Sequence, residues 1–153
     1  MMYYTHLAFG LLVSLLSIEF FPIKNKILFI IIATFFSILP DIDESRSKIG
    51  RKNKIISKTI NFIFGHRGFI HTIYIPIIIF ILFNLINTDI AYAALIGYLS
   101  HLLGDSLTKA GITPLYPLIN KRINGFLKTN SFFEKIIFLA LILANLYLII
   151  KYI

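Results

Sequence analysis

Five long apolar runs constrain this chain more than any other feature: roughly residues 7–23, 26–40, 69–87, 90–107 and 132–150. Each approaches the ~20 residues that a helix needs to cross hydrocarbon, although the second is short. Hydrophobic residues make up 58% of the chain and charged residues 14%. A soluble domain averages roughly 45–50% and about 25%. The bilayer is therefore the implied solvent. Helix is the implied form, because open strands leave backbone groups unpaired in lipid. The expectation is an all-α, multi-pass transmembrane bundle of about five spans, forming one integral-membrane domain over 1–153. No Lys or Arg precedes the first run and no A-x-A pattern follows it. The N-terminal segment, with His6, is thus read as retained rather than as a removed signal peptide.

Orientation follows from the basic residues. The net charge is +8, and twelve of the fifteen Lys and Arg residues fall between spans on one side. Arg46, Lys48, Arg51, Lys52, Lys54, Lys58 and Arg67 lie in one loop; Lys109, Lys121, Arg122, Lys128 and Lys135 lie in another. The opposite side has Lys24, Lys26 and Lys151. The positive-inside rule puts the richer side and the N-terminus in the cytoplasm and the C-terminus outside an inner (cytoplasmic) membrane. Loops of this kind suit anionic lipid better than nucleic acid. Residues 55–64 place Ile56, Ile60, Ile63 and Phe64 on one helical face. They read equally as an interfacial amphipathic helix or as a solvated basic loop.

Several polar residues have structural readings. Thr88 and Asp89 are placed to cap the fourth span. Ala93, Gly97, Ser100 and Gly104 form a small-residue face that lets another helix approach. Asn84 and Asn145 suit interhelical hydrogen bonds. The tyrosines at 3, 4, 116 and 152 suit the interface. Glu19 lies about 20 Å beyond His6 at 1.5 Å per residue, and is expected to pair with Lys24 or Lys26 at the outer side. Thr72 either bonds a ligand residue or satisfies backbone; Thr108 and Lys109 have no assigned role.

The four histidines, with Asp41, Asp43, Arg67 and Asp105, sit in tight groups at the cytoplasmic ends of four spans: His6; Asp41 and Asp43; His66, Arg67 and His71; His101 and Asp105. His101 and Asp105 are i and i+4, so both project from one helix face. Ionisable residues within an apolar span are costly and default to function. There is no cysteine, so a metal would take nitrogen and oxygen ligands. Imidazole with carboxylate suits zinc first, then manganese or iron, and the donors suffice for one or two ions. Arg67 suits a phosphate or a developing anion. The bland alternatives are a hydrogen-bonded polar lock between helices, a capping role for Asp41 and Asp43, and a purely topological role for Arg67.

On these residues the chain resembles a family of bacterial and archaeal membrane proteins. They are described as membrane-bound predicted metal-dependent hydrolases, or as LexA-binding inner-membrane-associated hydrolases. The matching stretches are T-H at 5–6, L-P-D-I-D at 39–43, G-H-R-G-F-I-H-T at 65–72, G-Y-L-S-H-L-L-G-D-S-L-T-K-A-G at 97–111 and P-L-Y-P at 114–117. The resemblance implies metal ligation by His6, Asp41, Asp43, His66, His71, His101 and Asp105, and its second label implies a repressor as partner. The family is also distantly similar to zinc-dependent phospholipase C and the P1-type nucleases, which implies phosphoester hydrolysis, with a phospholipid as one candidate substrate.

The expected function is thus metal-dependent hydrolysis of a phosphoester by activated water, with Asp43, Arg67 and Asp105 as the candidate catalytic groups. A metal-ion or proton-coupled transporter would instead spread ionisable residues through the depth of its spans. A non-catalytic scaffold for a cytoplasmic partner would tolerate loss of every histidine.

Overall fold

The computed structural model describes residues 1–43, 47 and 68–152. Its regular elements among these residues are five α-helices and two 3-10 turns, with no strand. The helices are α1 (Tyr3–Ser17), α2 (Lys26–Phe36), α3 (Tyr74–Asn84), α4 (Thr88–Ser106) and α5 (Phe132–Tyr152). The turns are η1 (Leu39–Asp43) and η2 (Phe69–His71). Residues 55–64, His66 and Arg67 lie outside the described residues.

α1, α2 and α3 are shorter than the apolar runs that announced them, because the ends of those runs are spent in turns. The first run stops being helical at Ser17, and the chain folds through 18–25 past Pro22. The second stops at Phe36, and Pro40 sits inside η1 rather than at the helix end. The third opens with η2 and becomes helical only at Tyr74. Pro76 fits there, since first-turn N–H groups have no intrahelical partner. Among the described residues α5 alone is long and apolar enough to cross a membrane by itself. At 19 residues α4 has the length, but small and polar residues dilute its apolar character.

Two caps are asparagines. Asn25 accepts the Leu28 N–H at 3.0 Å and Asn87 accepts the Ile90 N–H at 3.1 Å. Asn87 therefore takes the capping role expected of Thr88 and Asp89. The Asp89 carboxylate instead accepts the backbone N–H groups of Lys24 and Asn25, at 2.9 and 3.3 Å, and ties the α1–α2 connection to the start of α4.

α4 is the central element, packed against α1, α2 and α3, while α5 lies along α1. Its small-residue face behaves as expected. A Cβ at Gly97 would stand 2.1 Å from the Ala33 carbonyl oxygen, so only glycine lets α2 come this close. Ala33, Ala91, Ala93 and Ala94 are fully buried in the same packing. Tyr98 anchors the turn before α3 by donating to the Ile70 carbonyl at 2.8 Å. Asn145 donates to the Ala8 carbonyl at 2.9 Å and joins α5 to α1. Asn84 does not act this way; it lies exposed at the end of α3. The outward surface is largely apolar, with Phe20, Ile27, Leu85, Phe132 and Ile150 each more than two-thirds exposed. A surface of that kind fits a lipid surrounding.

Candidate metal centre

The two turns and the ends of α1 and α4 enclose a polar cluster in this largely apolar molecule. α1 brings His6, η1 brings Asp41 and Asp43, η2 brings His71, and α4 brings His101 and Asp105 one turn apart. Five of the six are essentially inaccessible to solvent, and Asp41 is mostly buried. Six of the seven expected ligands thus meet; His66, like Arg67, lies outside the described residues.

The contacts are continuous. His6 Nε2 is 3.1 Å from Asp105 Oδ1, and its ring stacks on that of His101 with centroids 4.0 Å apart. His101 Nε2 is 3.2 Å from His71 Nε2 and 3.9 Å from both Asp41 Oδ1 and Asp105 Oδ2. His71 Nε2 is 3.7 Å from Asp105 Oδ2, and His71 Nδ1 is 3.3 Å from Asp43 Oδ2. Gly104 makes room for His6, since a Cβ there would stand 3.1 Å from the imidazole.

The protons can be assigned from the partners. His101 Nδ1 lies 2.9 Å from the Ser37 carbonyl oxygen, which can only accept, so Nδ1 carries the hydrogen. In the neutral ring Nε2 is then a lone pair. The Asp43 carboxylate favours the hydrogen of His71 on Nδ1. That contact is bent away from good hydrogen-bond geometry, so it orients the ring more than it satisfies it. With the His71 hydrogen on Nδ1, two imidazole lone pairs face each other at 3.2 Å; with it on Nε2, His71 donates to His101, and in both cases a carboxylate oxygen lies beside the pair.

Charge points the same way. Three carboxylates share the pocket, and one amino nitrogen, that of Met1, lies 2.7 Å from Asp105 Oδ1. Asp41, outside the helices, is pushed above the usual carboxylate range, chiefly by burial; nearby Asp105 adds to this and His101 opposes it. Buried charges are stable only when paired. His6 Nδ1 and the Thr5 hydroxyl are also buried without a hydrogen-bond partner. Two ligand sets have donor atoms within 4.8 Å of one another: His71, His101 and Asp105, and His6, Asp41 and His101. The donor set fits a borderline divalent ion such as zinc, and the Ser37 carbonyl and Asp43 hold the rings as outer-shell partners do.

Two nearby features escaped sequence reasoning, and the roles of two threonines resolve. The Ser37 carbonyl is a backbone group with no signature. Glu134 is 1% exposed and accepts the N–H groups of Met2 at 2.7 Å and Asn130 at 2.6 Å, which fixes the start of α5 beside the pocket. The Ser131–Glu134 spacing is a capping-box pattern that could have flagged it. Thr108 donates to the Asp105 carbonyl at 2.8 Å, and Thr72 to the Phe69 carbonyl at 2.7 Å, so both satisfy backbone. Glu19, expected to pair with Lys24 or Lys26, pairs instead with Lys151 Nζ at 3.0 Å and with the Tyr152 hydroxyl. The packing of α5 along α1 delivers those partners from the far end of the chain.

Relatives supply the remaining context. An uncharacterized protein of Bacillus subtilis, YvsG, is 39% identical over 114 residues, 72% of this chain and 71% of its own length. The inner membrane protein YdjM of Escherichia coli is 41% identical over 87 residues, 52% of this chain, and the YdjM of Shigella flexneri matches equally. The chain spans 44% of the length of these two proteins. No solved structure matches it. A family model described as YdjM inner membrane protein covers residues 1–153, and the chain accordingly belongs to the YdjM family of inner membrane proteins.

Proposed function

We propose that this protein is a multi-pass membrane hydrolase whose buried imidazole–carboxylate pocket holds a divalent metal, zinc first among candidates, for phosphoester cleavage. The carrying observation is the buried convergence of donor atoms within 4.8 Å of one another, in the sets His71, His101 and Asp105 and His6, Asp41 and His101. His71, His101 and Asp105 would hold the ion, with His6 and Asp41 as the alternative donors about the same His101 nitrogen. Both sets need that one lone pair, so a second ion would have to rest on His6 and the carboxylates. A bound divalent ion supplies Lewis acidity toward a phosphoryl oxygen and lowers the pKa of water. Asp43 holds the His71 ring, Asp105 is the carboxylate placed to take a proton, and Arg67 is assigned from sequence alone to the anionic product.

The membrane arrangement belongs to the same proposal. α1 to α5 cross as five passes, the flanking apolar turns extending the helices that are too short alone. The basic loops, and with them the pocket, face the cytoplasm. Confinement of the ionisable cluster to one end favours an enzyme over a transporter.

The test is metal analysis of the purified protein beside His101→Ala and Asp105→Asn variants, with hydrolysis of a chromogenic phosphodiester measured before and after chelation. Near-stoichiometric metal, lost in both variants, and activity restored by zinc, manganese or iron are expected. Equal metal content in all three proteins overturns the proposal.

A further inference from the structure

Beyond the metal pocket, the chain carries a second place suited to a ligand. The segment between α4 and α5 folds back on itself: Thr108 bridges to Leu127, Ile112 bridges to Ile123, and the Lys109 N–H donates to the Leu127 carbonyl at 2.8 Å. Between the base of this hairpin and the first turn of α5 lies a cavity of about 390 Å³, lined by Lys109, Phe126, Leu127, Lys128, Ser131 and Phe133. Two cations, a hydroxyl and two phenyl rings therefore share one recess. Among the described residues neither lysine is in an ion pair. Glu134 lies beside the recess in sequence, but its carboxylate is buried and engaged by the N–H groups of Met2 and Asn130. The Ser131 oxygen accepts the Glu134 N–H at 3.3 Å, which leaves its hydroxyl hydrogen to donate.

We infer that this recess binds the phosphate of an anionic lipid. Phe126 and Phe133 are 77% and 70% exposed, an unfavourable state in water but a natural one at the headgroup boundary. They flank the start of α5, the one described helix that can cross a membrane alone. Lys109 and Lys128 supply the charge complement of a phosphate, and Ser131 supplies a neutral donor. The apolar rims favour a ligand that brings acyl chains with its phosphate. This inference needs no metal and stands apart from the hydrolase reading.

The experiment uses the full chain in detergent after chelation, with native mass spectrometry to follow binding. The probes are dioctanoyl phosphatidic acid, dioctanoyl phosphatidylcholine and inorganic phosphate. Phosphatidic acid is expected to bind about tenfold or more tighter than phosphatidylcholine, because two lysines beside the phosphate favour the anionic headgroup. The Lys109→Gln/Lys128→Gln pair should erase that preference, and Lys109→Arg/Lys128→Arg should keep it. A Lys24→Gln/Lys121→Gln pair, equal in charge change, should also keep it. Equal binding of the two lipids, or an undiminished preference in the double Gln variant, overturns the inference. Displacement of phosphatidic acid by inorganic phosphate at equal concentration would assign the recess to a soluble anion and overturn it as well. Because metal is absent throughout, failure here leaves the metal proposal untouched, and failure there leaves this one.

Discussion

At one end of the bundle Glu19 accepts from Lys151 and Tyr152 on exposed side chains. At the other end His6, Asp41, Asp43, His71, His101 and Asp105 crowd into a buried pocket. The first group is closed: every charge has its opposite, and water can reach the members. The second is open: His6 Nδ1 and the Thr5 hydroxyl are buried without a hydrogen-bond partner, and carboxylates outnumber the amino group beside them. An exposed ion pair stabilises little and asks for nothing more. A buried cluster with surplus acceptors is costly unless something cationic completes it. Ionisable residues in a membrane protein thus carry different meanings according to whether they satisfy one another.

Metal affinity separates the two ends most sharply. His101→Ala removes the donor common to both candidate ligand sets, and its loss should abolish stoichiometric zinc, a change of more than about a hundredfold in affinity. Isothermal titration of the chelated protein with zinc measures it. A variant that still binds as wild type would make the buried end as self-sufficient as the exposed one. Asp43→Asn is next. It keeps the shape at His71 but weakens the carboxylate that orients the ring, and an outer-shell change of this kind costs about 10–100-fold in affinity. Lowering the pH should also release the ion, since protons compete for the same imidazole and carboxylate atoms. Retention should fall as the pH drops, followed by metal analysis after dialysis.

Gly104→Ala comes third. Its Cβ would stand 3.1 Å from the His6 imidazole, so the ring must yield by a few tenths of an ångström. A several-fold loss of zinc affinity with near-normal folding is expected, because His6 belongs to one ligand set only. Gly97→Ala is the packing counterpart. It drives a Cβ to 2.1 Å from the Ala33 carbonyl and should destabilise the α2–α4 contact by about 1–3 kcal/mol, read as a lower thermal midpoint.

Much of the buried end was legible in the sequence, because span-end histidines and aspartates announce themselves against an apolar background. The i, i+4 spacing of His101 and Asp105 put both on one face, and the basic loops put the other groups at the same level. The lengths of α1, α2 and α3 were not legible. Apolar runs do not distinguish a helix from the turn beside it, so Leu39, Pro40 and Phe69–His71 fall within the expected spans although they lie in turns. The exposed end was misread for a different reason. Lys24 and Lys26 are near Glu19 in sequence, whereas Lys151 reaches it only through the packing of α5 on α1, which no local pattern encodes. The same limit hid the Ser37 carbonyl, whose contact with His101 joins residues 64 apart.

The smallest expected effect belongs to Glu19→Gln. The substitution removes the charge that Lys151 faces, yet both side chains are substantially solvated, and Tyr152 can still donate to the amide oxygen. Zinc affinity should be unchanged within error, because the carboxylate stands beyond the far end of α1 from His6 and salt screens interactions over more than about 10 Å. The thermal midpoint should also barely move, and what little shift there is should vanish at high salt. A loss of zinc in this variant would mean that the two ends are coupled through α1. The contrast between a self-contained exposed pair and an incomplete buried cluster would then give way to one electrostatic unit running the length of the helix.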